Sequence, residues 1–177
     1  MNRLLLLAFG FFALATQSAT AQNSSQFTTL NLDDCAGSVT IIDEETEEGF
    51  WSGVCQGLDG IPVFATEGDL RFDMDFGVRN DRFETAPFFN EPHSTIEWRL
   101  DAAGQPFAVI HRFWSSGFSE GTSMLAVSKI GTAEKPGCMI GLFRGDVPDV
   151  NARATALADA VADRLDCDEL VTFLNIY

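Results

Sequence analysis

Residues 70–76 alternate without a break. Leu70, Phe72, Met74 and Phe76 take one parity, and Arg71, Asp73 and Asp75 take the other. Only a strand places successive side chains on opposite faces, so a strict period of two predicts a half-buried antiparallel strand. The same pattern returns at Thr95–Asp101, with Ile96, Trp98 and Leu100 against Thr95, Glu97, Arg99 and Asp101. The expectation is that Arg71, Asp73, Asp75, Glu97, Arg99 and Asp101 point to solvent and pair weakly across strands.

Other strands follow from short apolar runs bounded by turn residues. Val39–Ile42 and Phe50–Val54 flank the acidic run Asp43-Glu44-Glu45-Thr46-Glu47-Glu48, which predicts a hairpin with a charged tip. Ile61–Thr66 pairs with the alternating segment through Glu67-Gly68-Asp69. Pro106–Trp114 is apolar on both faces, so it belongs at the centre of a sheet covered on both sides. Ser123–Ile130 and Cys138–Phe143 complete the set. Residues 22–27 read as a polar leader and 77–92 as a loop, with Phe83, Phe88 and Phe89 folded over the core.

The period then changes. Val150, Ala154, Leu157, Val161 and Leu165 recur at helical spacing, with Asp146 as the expected N-cap. The tail 170–177 is apolar enough to dock. The predicted class is α+β: an antiparallel meander of about eight strands, curved or barrel-like, with one C-terminal helix.

The first twenty-one residues do not belong to that fold. Arg3 precedes an apolar run from Leu4 to Ala15, and Ala19-Thr20-Ala21 fits a signal-peptidase site. Twelve helical residues reach about 18 Å, short of the ~30 Å hydrocarbon core. Residues 1–21 therefore read as a cleaved signal peptide, and 22–177 as one domain, periplasmic or secreted, with no stable membrane insertion.

Export decides how the four cysteines are read. Cys35, Cys55, Cys138 and Cys167 all follow the leader, and an even number in an oxidising compartment predicts disulfides. Three pairings are possible. Cys35–Cys55 with Cys138–Cys167 is favoured because each pair brackets one local unit, contributing ~3–4 kcal/mol in the chain-entropy model. No CxxC is present, and neither histidine is spaced with a cysteine as a metal ligand would be.

Charge narrows the function classes. The chain has 26 acids against 11 bases and a formal charge of −15. Nucleic acid and anionic lipid both require a basic face, so neither is an expected partner.

The catalytic patterns are incomplete. Gly117-Phe118-Ser119-Glu120-Gly121 matches the nucleophile elbow, but a strand pattern follows it and both histidines precede the serine. Asp73-x-Asp75-x-Gly77 begins like a calcium loop without the later acids. His93 sits alone in a loop. The facing of His111 depends on the 101–106 turn: an even loop sets it opposite Ile96 on the buried side, and a three-residue loop with left-handed Gly104 sets it opposite Thr95, near Glu97. His111, Glu97 and Arg99 are the weak site candidates. No catalytic set, cofactor or metal is expected.

The run Phe27-Thr28-Thr29-Leu30-Asn31-Leu32 before Cys35, the Trp51…Cys55…Gly57…Gly60-Ile61-Pro62-Val63 segment, Gly68-Asp69-Leu70-Arg71, and Ser94-Thr95-Ile96-Glu97-Trp98-Arg99 resemble a family of small exported bacterial proteins. The resemblance covers most of residues 27–114. It implies export and a shared fold; the family has no assigned activity, so it carries over no catalytic residue.

The functional expectation is an exported, acidic, non-enzymatic binding module suited to a cationic protein such as a cell-wall hydrolase. Small disulfide-bonded lysozyme inhibitors are an analogy. Two alternatives stand beside it: a small periplasmic hydrolase using acids near His111, and a small-molecule binder with an interior lined by Phe72, Phe76, Trp98 and Phe113.

Overall fold

The alternating segments become strands of two separate antiparallel sheets. The computed structural model describes residues 22–43, 48–80, 82–116, 121–162 and 164–168. The expected leader 1–21, the tip 44–47, Ser119 of the elbow-like motif and the tail 170–177 lie outside the described residues.

Strands β2 (Ala36–Asp43), β3 (Glu48–Gln56), β4 (Pro62–Gly68) and β5 (Arg71–Phe76) form one meander in chain order. Strands β6 (Asn90–Leu100), β7 (Pro106–Ser115), β8 (Ser123–Lys129) and β9 (Cys138–Arg144) form another, and β1 (Ser24–Thr29) joins it beside β6. The expected eight-strand curved or barrel-like meander is thus, among the described residues, nine strands in two sheets. The segment expected as a polar leader is an edge strand, paired from Ser24 opposite Leu100 to Thr29 opposite Thr95.

The five-stranded sheet lies between two apolar layers. On one face Ile96, Trp98, Val109, Phe113 and Ala126 pack against Val63, Ala65, Met74 and Phe76 of the smaller sheet. On the other, Ala108, Ile110, Leu125, Val127 and Ile140 pack against Val150, Ala154 and Ala158 of helix α1 (Val150–Val161). The central position of β7, covered on both faces, accords with its two apolar faces. Each large side chain buried in these layers contributes about 1.5–3 kcal/mol.

The helix is shorter than its spacing suggested. It begins at Val150 and ends at Val161, leaving Leu165 beyond its last turn. Asp149 rather than Asp146 holds the N-cap position, in a left-handed conformation (φ 56°) without a side-chain cap. Asp146 instead pairs with Arg144 at 2.6 Å.

The bridges are Cys35–Cys55 and Cys138–Cys167. The first ties the entry of β2 to β3. The second holds the chain beyond α1 against β9. Lys129 Nζ donates to the Leu165 carbonyl (2.6 Å), and Arg82 Nη2 donates to that of Cys167 (2.5 Å), so polar bonds hold the same segment.

The expected loop after β5 is a strap that ends three residues early, because β6 starts at Asn90. Phe88 packs on the core, but Phe83 and Phe89 are exposed and do not plug it. Leu70 is also exposed, at 62%: Asp69 and Leu70 form a turn with both φ values positive (51° and 59°), which takes Leu70 off the inner face.

Candidate functional site

The sequence singled out His111, Glu97 and Arg99, and the fold links Glu97 and Arg99 through Ser25 but places His111 on the other face of the sheet. The turn after β6 does take the three-residue form: Gly104 is left-handed (φ 81°) and Leu100 pairs with Pro106. A bulge between Leu100 and Arg99 then shifts the register by one residue, so Arg99 pairs with Ala108 and Ile96 with His111. His111 therefore faces the core. Its ring packs edge-on against Phe113 (5.2 Å) and Phe76 (6.4 Å). Nε2 lies 3.0 Å from the His93 carbonyl, and Nδ1 has no partner among the described residues. Burial pulls its pKa down to about 4, which keeps the ring neutral and lets Nε2–H donate to that carbonyl.

Glu97 lies on the opposite face of β6, where the Ser25 hydroxyl donates to Oε1 (2.5 Å) and itself accepts from Arg99 Nη1 (2.5 Å). Arg99 is buried rather than solvated, because α1 covers that face and supplies Asp159. The pair is bidentate: Nη2 reaches Oδ2 at 2.7 Å and Nε reaches Oδ1 at 3.0 Å. This arrangement fastens helix to sheet. It presents no general base beside an acid.

The polar face of β5 is likewise buried, against expectation, because the strap 77–89 lies over it. Glu84 donates its backbone N–H to Asp73 Oδ1 (3.1 Å), and Asn80 donates N–H and Nδ2–H to Asp75 (3.2 and 2.6 Å). Glu84 in turn accepts the Met139 N–H on β9. Burial, then repulsion from Asp75, lifts Asp73 to about 7; burial lifts Asp75 to about 6 and also raises Glu84. These acids serve as acceptors for a strap that joins the edge of one sheet to the edge of the other. Among the described residues, no group of three His, Cys, Asp or Glu is arranged to hold a metal ion.

The aromatic interior is core. Trp98, Phe76 and Phe113 are almost fully buried, and Phe76 meets Trp98 edge-on at 5.9 Å. Phe72 packs against the same core and edge-on to Trp51 (6.3 Å).

The outer hairpin β2–β3 lies at the edge of the smaller sheet. The strap covers the β5 edge, and β2, at the opposite edge of that sheet, pairs with β3 alone among the described residues. The fold there depends on two glycines. Gly37 and Gly53 face each other, and the Trp51 indole lies across both; a Cβ at either would fall within 2.6 Å of the ring. The Cys35–Cys55 bridge closes the base of the hairpin. Beyond it the strand carries apolar groups into solvent: Val39 is 63% and Ile42 69% exposed, with Phe50 and Val54 more than a third exposed on β3. A bulge between Ile41 and Asp43 breaks the pairing at its end. Acids flank the strand, with Asp33 and Asp34 exposed at its entry and the run 43–48 leading into β3. The missing alternation in Val39-Thr40-Ile41-Ile42 was the available signal, since such a strand has no single buried face.

No family model, no curated protein and no solved structure matches the chain, so the geometry above carries the functional argument.

Proposed function

We propose that this is an exported binding protein whose β2–β3 hairpin receives a basic protein partner, with an extended segment of that partner adding to the open β2 edge. One observation carries the reading: β2 is an eight-residue edge strand, exposed along its described side chains, that presents apolar groups between two acidic ends. Unprotected edges invite strand addition, and main-chain bonds supply affinity while neighbouring side chains select the partner. The acids add long-range attraction for a cationic surface.

Export belongs to the same reading, with residues 1–21 as the leader and membership of the small exported family. Two disulfides with no free cysteine among the described residues support an oxidising compartment. A hydrolase based on His111 receives no support, because its ring meets aromatics and a carbonyl instead of an acid.

The test is titration of the mature chain with a strongly basic cell-wall hydrolase at low salt and at about 0.5 M, where charges on the surface are screened. Binding at low salt that weakens with salt is expected. Val39→Asn with Ile42→Asn should weaken it about tenfold or more, and Glu44→Gln, Glu45→Gln and Glu47→Gln together should slow association. No binding at low salt, or binding indifferent to both sets, overturns the proposal.

A further inference from the structure

On β7, Ala108 and Ile110 lie under α1, and the same face continues past the first turn of the helix with Arg112 and Trp114. That uncovered part floors a cavity of about 330 Å³ lined by Arg112, Trp114, Thr122, Ser123, Arg144 and Asp146. The volume falls at the low end of small-ligand sites.

Arg112 is the unusual member. Nη1 donates to Ser123 Oγ (2.8 Å), Nη2 donates to Asn151 Oδ1 on α1 (3.2 Å), and the guanidinium lies 5.8 Å from the centre of the Trp114 ring. No carboxylate among the described residues reaches it; Glu91, the cross-strand neighbour of Trp114, is exposed and makes no bond to it. A partly buried guanidinium with no counter-ion among the described residues is costly, and here acids outnumber bases 26 to 11. Among the described residues, two neutral acceptors take two of its five N–H groups and fix its plane, and Trp114 supports one face. Gly145 makes room for this arrangement, because a Cβ there would lie 2.0 Å from Ser123 Oγ and 2.8 Å from Arg112 Nη1.

The surroundings define the ligand. Trp114 has Arg112 over its ring and the His93 ring at 6.3 Å, and the 41% of it that stays exposed offers an apolar wall. Thr122 brings a hydroxyl. Arg144 and Asp146, paired at 2.6 Å on the rim, bring a donor beside an acceptor. A bare anion such as sulfate would meet Asp146 with repulsion. A ligand with one carboxylate, several hydroxyls and a ring would use every group. We propose that this cavity binds an acidic saccharide of the hexuronate class: its carboxylate on Arg112, its ring against Trp114, and its hydroxyls shared between Asp146 and Thr122. The site is independent of the β2–β3 hairpin.

The experiment titrates the mature, isotopically labelled chain with glucuronate and with short galacturonate oligomers, using glucose, acetate and sulfate as controls. The readout is the Trp114 indole N–H resonance, assigned through Trp114→Phe. Uronates should move it saturably, and glucose at the same concentration should not. Arg112→Gln should weaken uronate binding about tenfold or more, and Arg112→Lys should also weaken it, because the charge stays but the planar fork is lost. Should either arginine variant fail to fold, the exposed Asp146→Asn is decisive: it should weaken uronate binding and leave sulfate unchanged or tighter. Val39→Asn with Ile42→Asn should leave uronate binding unchanged, which separates this site from the hairpin. No uronate-dependent shift overturns the proposal. So does equal binding of acetate, sulfate and uronate that survives Trp114→Ala, which would make this a plain anion site.

Discussion

Glu84 gives its backbone N–H to the carboxylate of Asp73 while its own carboxylate takes the N–H of Met139, so one residue of the strap links β5 to β9. The link sets an unusual pH dependence. Asp73 titrates near 7 and Asp75 near 6 in the fold, far above the ordinary value of 3.8. Between pH 4 and 7 the fold holds more protons on these acids than the unfolded chain, so their contribution is complete at low pH and is lost as pH rises through 6 and 7. His111 opposes this, since it stays neutral in the fold down to about 4 while the unfolded chain takes a proton below 6.5. Two acids, with Glu84 shifted the same way, outweigh one base.

Thermal melts should therefore show stability rising from about pH 8 to about pH 5. Asp73→Asn keeps an oxygen to accept from Glu84 and removes the charge. It should add on the order of 2 kcal/mol at pH 8 and flatten the profile. A melting temperature that falls steadily from pH 8 to pH 5 would contradict the buried-acid account.

Asp159→Ala should destabilise the chain in urea by about 2 kcal/mol, because it strands the buried Arg99 guanidinium. Asp159 keeps 32% of its side-chain exposure, so water softens the loss. Replacing both, Arg99→Met with Asp159→Leu, should recover most of it, since no charge is then left unpaired.

Removing the second bridge tests how the C-terminal segment is held. The 29-residue separation of Cys138 and Cys167 corresponds to about 3–4 kcal/mol. Cys138→Ala with Cys167→Ala should lower the melting temperature and speed amide exchange in α1 and in residues 164–168. Exchange in β2–β5, on the other sheet, should stay as it was.

What the sequence disclosed about this fold was whatever depends on neighbours in the chain. The alternation in β5 and β6, the doubly apolar β7 and the helical spacing of Val150, Ala154 and Leu157 each report a local face. What it withheld was the cover. Asp73 and Asp75 have the pattern of solvated residues, and only the strap buries them. Arg99 has the same pattern, and only α1 buries it. Ser24–Thr29 is polar and has no period of its own; β6 makes it a strand. His111 turned on a single bulge between Arg99 and Leu100, which no composition of the turn specifies. The edge position of β2 and the contacts of Arg112 with Ser123 and Asn151 are likewise relations between distant elements.

Synthesis runs from the N-terminus, and β1 is made long before the strand it pairs with. Ser24 must wait for Leu100, and the waiting segment has no other partner in its sheet. The hairpins β2–β3 and β4–β5 can close as they emerge, but the larger sheet cannot gain its first strand until β6 exists. Such long-range pairing is slow, because the entropy of closing the intervening chain is lost before any contact compensates. Closing β1 onto β6 is thus a slow, long-range step, and until it is made the β6 edge is exposed and Ser24–Thr29 is accessible to protease.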